Sequence, residues 1–180
     1  MAQQYAEIKD KHKAFVETQH MFFVATAAPE GRVNLSPKGL DSLRIVNPNR
    51  VAWLSVTGSG NETAAHLLEN DRMTLMFCAF EGKPLIMRLY GRAHAVYPND
   101  ETWEALRGLF PPLAGARQIY DMHVDMVQTS CGFAVPLYNF VEQRNLLTGW
   151  AESRGPEGVG EYQQQKNTLS LDGRPTGLPG

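Results

Sequence analysis

The feature that most constrains this chain is a series of strand-like runs joined by connections of only a few residues. Residues 21–27 and 32–38 flank the turn Pro29-Glu30-Gly31, and residues 43–46 and 50–56 flank Asn47-Pro48-Asn49. Residues 72–80 and 85–97 flank Glu81-Gly82-Lys83-Pro84. Connections this short join antiparallel neighbours, because a parallel crossover needs a dozen or more residues. A further strand is expected at 123–129. Helices are expected at 3–20, where Tyr5, Ile8, Phe15 and Val16 share a face, and at 62–70, 101–110, 139–153 and 158–167. Asn99 or Asp100 can cap the third of these, and Pro111-Pro112 stops it. About six strands with peripheral helices imply a mainly β, largely antiparallel barrel, since closure removes exposed edges.

Within that frame the stretch 51–68, VAWLSVTGSGNETAAHLL, carries the most chemistry. It reads as a buried strand, a loop of small and hydroxylated residues, and the opening turns of a helix. Unpaired N–H groups and the positive end of the helix dipole make such a junction an anion site. Thr57, Ser59 and Thr63 add hydroxyls, Asn61 adds an amide, and Gly60 lets the main chain approach closely. A phosphate group is the natural occupant.

Two readings of the phosphate differ. In a dinucleotide fold, Gly58-Ser59-Gly60 follows a strand and Glu81 lies about 20 residues on, as a ribose-binding acid would. The third glycine position is Thr63, however, and the flanking hairpins are not strand–helix units. A P-loop lacks its Lys-Ser or Lys-Thr pair. In the second reading, alternation along Asn34-Leu-Ser-Pro-Lys38 puts Asn34, Ser36 and Lys38 on one face. Pro37 removes a ladder donor, which places this strand at an edge or mouth. The Lys38 ammonium then offsets the charge of a phosphomonoester held at the helix start.

With these residues, roughly positions 10–98 resemble the pyridoxamine 5′-phosphate oxidase-related split-barrel proteins. The segments Val33-Asn-Leu-Ser-Pro-Lys-Gly39, 55–63, 72–80 and Met87-Arg-Leu-Tyr-Gly-Arg92 correspond to its core strands and cofactor loop. Residues 129–136 and Tyr162, Lys166-Asn167 and 170–173 are similar to one subgroup of unassigned substrate. The resemblance implies a six-stranded antiparallel split barrel and a homodimer with FMN at the subunit interface. It further implies an oxidoreductase acting on a small substrate. Ser36, Lys38, Ser59, Gly60, Asn61 and Thr63 would hold the phosphate, Val56 and Thr57 the ring edge, and Arg88 would lie near the partner's flavin. A module that binds flavin, deazaflavin or haem without turnover is the alternative.

The departures from the family pattern are specific. The oxidase's Ser-Arg-Lys phosphate triplet is Ser59-Gly60-Asn61 here, Asn34 replaces the first basic ligand, and Ile86 replaces a glutamine. The oxidase's C-terminal Arg/His motif has no counterpart in 132–180, so the oxidase's own reaction is not expected.

The remaining residues have plainer readings. Lys38 alone is also a usual edge-strand charge, and Ser59 or Asn61 a plain helix cap. Trp53 is expected in the core, and Arg88 needs an anion, either Glu62 or a ligand. The five histidines show no metal-ligand spacing, Cys78 and Cys131 read as buried free thiols, and no catalytic acid or base stands out. A net charge of −2 with both signs interspersed argues against nucleic acid. The N-terminal stretch has no apolar signal core and no run approaches a membrane span, so a cytoplasmic location is expected. The chain is expected to form one domain over 1–180, with a helical extension from about 139 and a Gly/Pro-rich tail at 168–180, mobile or laid over a neighbour.

Overall fold

The hairpins dictate the architecture. In the computed structural model, which describes residues 2–179, the order is β1 (Gln3–Tyr5), α1 (Asp10–Glu17), β2 (Phe22–Thr26), β3 (Asn34–Lys38), β4 (Leu43–Asn47), β5 (Arg50–Val56), α2 (Glu62–Glu69), β6 (Arg72–Cys78), β7 (Ile86–Val96), α3 (Trp103–Arg107), β8 (Ala116–Ser130) and α4 (Leu146–Lys166). The strands form one antiparallel sheet ordered β3-β2-β6-β7-β8-β5-β4, with β1 on β8. The sheet curls but does not close, which is a split barrel. It has eight strands among the described residues rather than six.

Alternation separates two apolar layers. Val24, Trp53, Leu75, Leu89, Tyr120 and Val127 fill the barrel interior, and all are almost fully buried. On the outer face α3 packs Trp103 and Leu106 against Leu54, Val96 and Ile119. The strand pair β7–β8 is bulged between Tyr90 and Gly91. A Cβ on Gly91 would lie 1.9 Å from the His123 carbonyl oxygen, so only glycine fits there.

Several local expectations change. Residues 3–20 divide into β1 and a shorter α1, because Gln3–Tyr5 pair with Val127–Thr129. The last strand begins at Ala116, not 123, and residues 139–145 are irregular rather than helical. The break expected between 153 and 158 is real: Gly155 has φ 68°, followed by Pro156, inside α4. Cys78 is buried but Cys131 is exposed, and both are free. The tail lies on its own chain: Arg32 pairs with Asp172, Arg174 with Glu69, and the Tyr97 hydroxyl donates to the Thr176 carbonyl at 2.8 Å.

Candidate functional site

β3 does at its end what its sequence implies. Asn34, Ser36 and Lys38 are half-buried while Leu35 and Pro37 are exposed, and β3 is an edge strand bonded only to β2. Lys38 thereby enters a cavity of about 1050 Å³. Its walls come from the β3–β4 loop, from Trp53, Leu54, Ser55, Val56 and Gly58, from the turn 18–21, from 80–82, and from the irregular strap 138–147.

The cavity has an electrostatic direction. The Lys38 ammonium sits 5.4 Å from the centroid of the Trp53 ring, a cation–π contact. Burial, and secondarily the charge of Arg117, push its pKa down to about 8. Among the described residues it has no carboxylate partner. Trp53, which also lines the cavity, stacks on Tyr120 at 4.4 Å, and its buried indole N–H has no acceptor. The lining also includes Glu81, Glu142 and Arg144 with the aromatic rings of Phe80, Tyr138 and Phe140.

The strap is pinned by side chains. Phe140 stacks on His20 at 3.7 Å, and its N–H donates to the Glu81 carboxylate at 2.9 Å. Gln143 donates to the His20 carbonyl at 2.9 Å and accepts from the Leu40 N–H at 3.1 Å. Leu40 has φ 61°, a backbone conformation uncommon outside glycine, so this bond holds a strained residue at the cavity rim.

The structure brings only part of the expected anion site to this cavity. Lys38 and Val56 line it; Ser36 shares the Lys38 face of β3 but lies outside the lining. Thr57 is buried, with its N–H and hydroxyl both donating to the Gly115 carbonyl and its hydroxyl accepting from Gln163. Asn61 is buried too: its carbonyl accepts from Gln118 at 2.5 Å and its amide donates to the Asn167 carbonyl at 3.4 Å. The Thr63 hydroxyl accepts from Asn34 at 3.3 Å. Ser59 and Gly60 are exposed, and the Gly60 carbonyl accepts from Arg117. Arg88 is half-buried on β7 across from Met76 and Gln128, away from the cavity, while the Glu62 carboxylate accepts from the Leu171 N–H.

Two further lining residues, Ser55 and Gly58, stand where the strand turns into the loop, within the 55–63 stretch that the family resemblance marks. Arg117 lies behind them, in a stretch that reads as loop. No group of acidic, histidine and cysteine side chains among the described residues forms a metal site. Among the described residues no helix is long and apolar enough to cross a membrane.

An open antiparallel barrel with a lysine and aromatic side chains lining one cavity defines a split-barrel protein. Residues 8–131 match the family described as pyridoxamine 5′-phosphate oxidase, and the chain belongs to that family. It is 38% identical over 189 aligned positions to the pyridoxamine 5′-phosphate oxidase family protein ustO of Aspergillus flavus, spanning 95% of this chain and 76% of that protein. Among solved structures, HupZ of Group A Streptococcus matches at TM-score 0.53 and 21% identity, over 66% of this chain and 91% of that one. A Lactobacillus delbrueckii protein provisionally described as a pyridoxamine 5′-phosphate oxidase matches at TM-score 0.53 and 13% identity, over 68% and 94%. These two likenesses concern the fold alone.

Proposed function

We propose that the chain is a flavoprotein of this family that binds FMN in the Lys38 cavity and acts as an oxidoreductase on a small substrate. One observation carries the reading: the half-buried Lys38 ammonium, with no carboxylate partner among the described residues, lines a cavity of about 1050 Å³ with aromatic walls. An ammonium in that position is costly unless an anion joins it. A phosphomonoester would be held by Lys38 and by the Ser55 hydroxyl, and main-chain groups at Val56 and Gly58 would border the ring. The unpaired Trp53 N–H offers one more donor. Bound there, FMN would supply the hydride- or electron-accepting centre. The strap would exclude water, with Gln143 and the His20–Phe140 stack holding it shut.

Homodimerisation is part of the proposal. Phe133, Leu137 and Val141 stand exposed beside the cavity, and a second copy of the chain would cover them. A cytoplasmic location is part of it as well, in keeping with two unpaired cysteines.

The test is an absorption spectrum of freshly purified protein, mass identification of any released chromophore, and titration of the stripped protein with FMN. A flavin double band or micromolar FMN binding supports the reading. Colourless protein that ignores micromolar FMN refutes it, and a Soret band points to a haem-holding module. Light scattering on the same sample reads the dimer.

A further inference from the structure

Opposite the Ser55–Val56 step, β8 spends three residues where two suffice: Ser55 pairs with Gln118 and Val56 with Ala116, leaving Arg117 unpaired in the ladder. In regular alternation Arg117 and Gln118 would point to opposite faces. A bulge re-aims the extra side chain, and both residues are in fact buried, at 5% and 0% exposure. We infer that Arg117 is the positioning residue of the anion end of the cavity. Its guanidinium braces Ser55 and the Gly58–Gly60 main chain from below and tunes the site for a doubly charged phosphomonoester. This rests on the flavin reading above and names the part of the ligand that Arg117 serves.

The contacts carry the inference. Nη1 donates to the Gly60 carbonyl at 3.1 Å and to the Asn167 side-chain carbonyl at 2.6 Å, and Asn167 in turn donates to the Gly58 carbonyl at 3.1 Å. Nη2 donates to the Ser55 hydroxyl oxygen at 3.4 Å. A serine that accepts from arginine keeps its own O–H for another acceptor, and Ser55 lines the cavity while Arg117 does not. The buried Nε has no partner.

Among the described residues the charge has no ion-pair partner either. The groups around Arg117 are Tyr97, Tyr120 and Tyr162, not carboxylates. Burial pushes Tyr97 up to about 12 and Tyr120 upward as well, so both are neutral at working pH. The Arg117 charge also acts on Lys38. His20, Glu81, Tyr138, Glu142 and Arg144 are the other titratable groups of the cavity wall. Two buried like charges without a counter-ion are unfavourable alone and become favourable when a dianion joins them. A purely structural role, tying the tail to the loop through Asn167, predicts lost stability but no selectivity for the phosphate.

The test compares FMN with riboflavin, which lacks the phosphate, on the stripped full-length protein. Arg117→Gln is expected to weaken FMN by about 10- to 100-fold, as loss of a charge-assisted contact does, while riboflavin affinity stays within a few-fold. Arg117→Lys is expected to recover most of the FMN affinity. In lysine-labelled protein followed by NMR, Lys38 is expected to titrate at higher pH in Arg117→Gln than in the parent. Equal losses for FMN and riboflavin, or no loss for either, overturn the inference while leaving the flavin reading standing. If the parent protein ignores FMN, the flavin reading falls and this inference falls with it. Should Arg117→Gln not fold, Arg117→Lys decides: FMN affinity kept within a few-fold supports the inference, and a loss equal for FMN and riboflavin overturns it.

Discussion

Replacing Lys38 by methionine should stabilise the ligand-free protein and weaken the liganded one. Lys38 has its pKa lowered from 10.5 to about 8 by burial and by Arg117. At about 1.36 kcal/mol per pH unit, keeping it charged in the folded state near neutral pH costs about 3 kcal/mol. The contact with the Trp53 ring returns about 1 kcal/mol, leaving a net cost of about 2. Methionine has similar length, fits the same apolar channel and carries no charge to desolvate. The sign follows from proton binding: between about pH 8 and about pH 10.5 the unfolded chain holds a proton that the folded chain has released. Stability of the parent therefore rises with pH across that window, and the cost is felt in full below it. Lys38→Met should lack this slope.

The assay is urea unfolding of stripped protein across that pH range. For a chain of this size a slope of about 2 kcal/mol per molar urea makes the advantage of Lys38→Met worth about 1 M in midpoint near pH 7, shrinking towards pH 10.5. FMN affinity should fall in the same variant by about 1.5–3 kcal/mol, or roughly 10- to 150-fold. A variant less stable than the parent near pH 7, or a gap that ignores pH, refutes the electrostatic reasoning. Unchanged FMN affinity would separate Lys38 from the phosphate.

Two further outcomes follow from particular contacts. Gly91→Ala forces a Cβ to 1.9 Å from the His123 carbonyl, which backbone cannot yield, so thermal unfolding should show a loss of at least about 3 kcal/mol; a melting temperature equal to the parent's contradicts this. Gln143→Ala removes both the His20 and the Leu40 hydrogen bonds of the strap. Its cost to global stability should be under about 1 kcal/mol because the residue is exposed, while protease cleavage within 138–144 and flavin dissociation should both accelerate. Unaltered cleavage and release would show that the strap is held otherwise.

The hairpins, the edge position of β3 and the inward row Asn34, Ser36, Lys38 were legible because they depend on turn length and period-two alternation. β1 was not, since Gln3-Gln4-Tyr5 carries no apolar pattern and its pairing with the end of β8 is decided by tertiary context. The start of β8 was hidden for a related reason. Arg117, Gln118 and Asp121 break the apolar run, and the bulge at Arg117 breaks the alternation itself. Residues 139–145 mislead in the opposite direction: Phe140, Val141, Leu146 and Leu147 fall at helix-like spacing, yet the first two belong to the strap and only the latter two enter α4.

The strand–loop–helix junction shows why a local motif can suggest a chemistry and still leave the donors open. A strand–loop–helix junction does gather main-chain donors, but here the chain's own tail reaches it first. Asn167 bonds the Gly58 carbonyl, the Glu62 carboxylate accepts from Leu171, and Thr57 and Asn61 are spent on Gly115, Gln163 and Gln118. Each of these contacts spans 57 residues or more in sequence, so no window of the sequence displays them. With Thr57 and Asn61 so committed, the positive charge for the proposed phosphate would come from side chains that other strands deliver. Lys38 arrives on the edge strand and Arg117 on a bulge, and among the described residues Ser55 is the side chain that both hydrogen-bonds the guanidinium and lines the cavity. The tail thus fixes the shape of the loop while the two cations set its charge. On the flavin reading, a site divided in this way would hold an anion even with Gly60 and Asn61 at the loop positions where the resembled oxidase has basic residues.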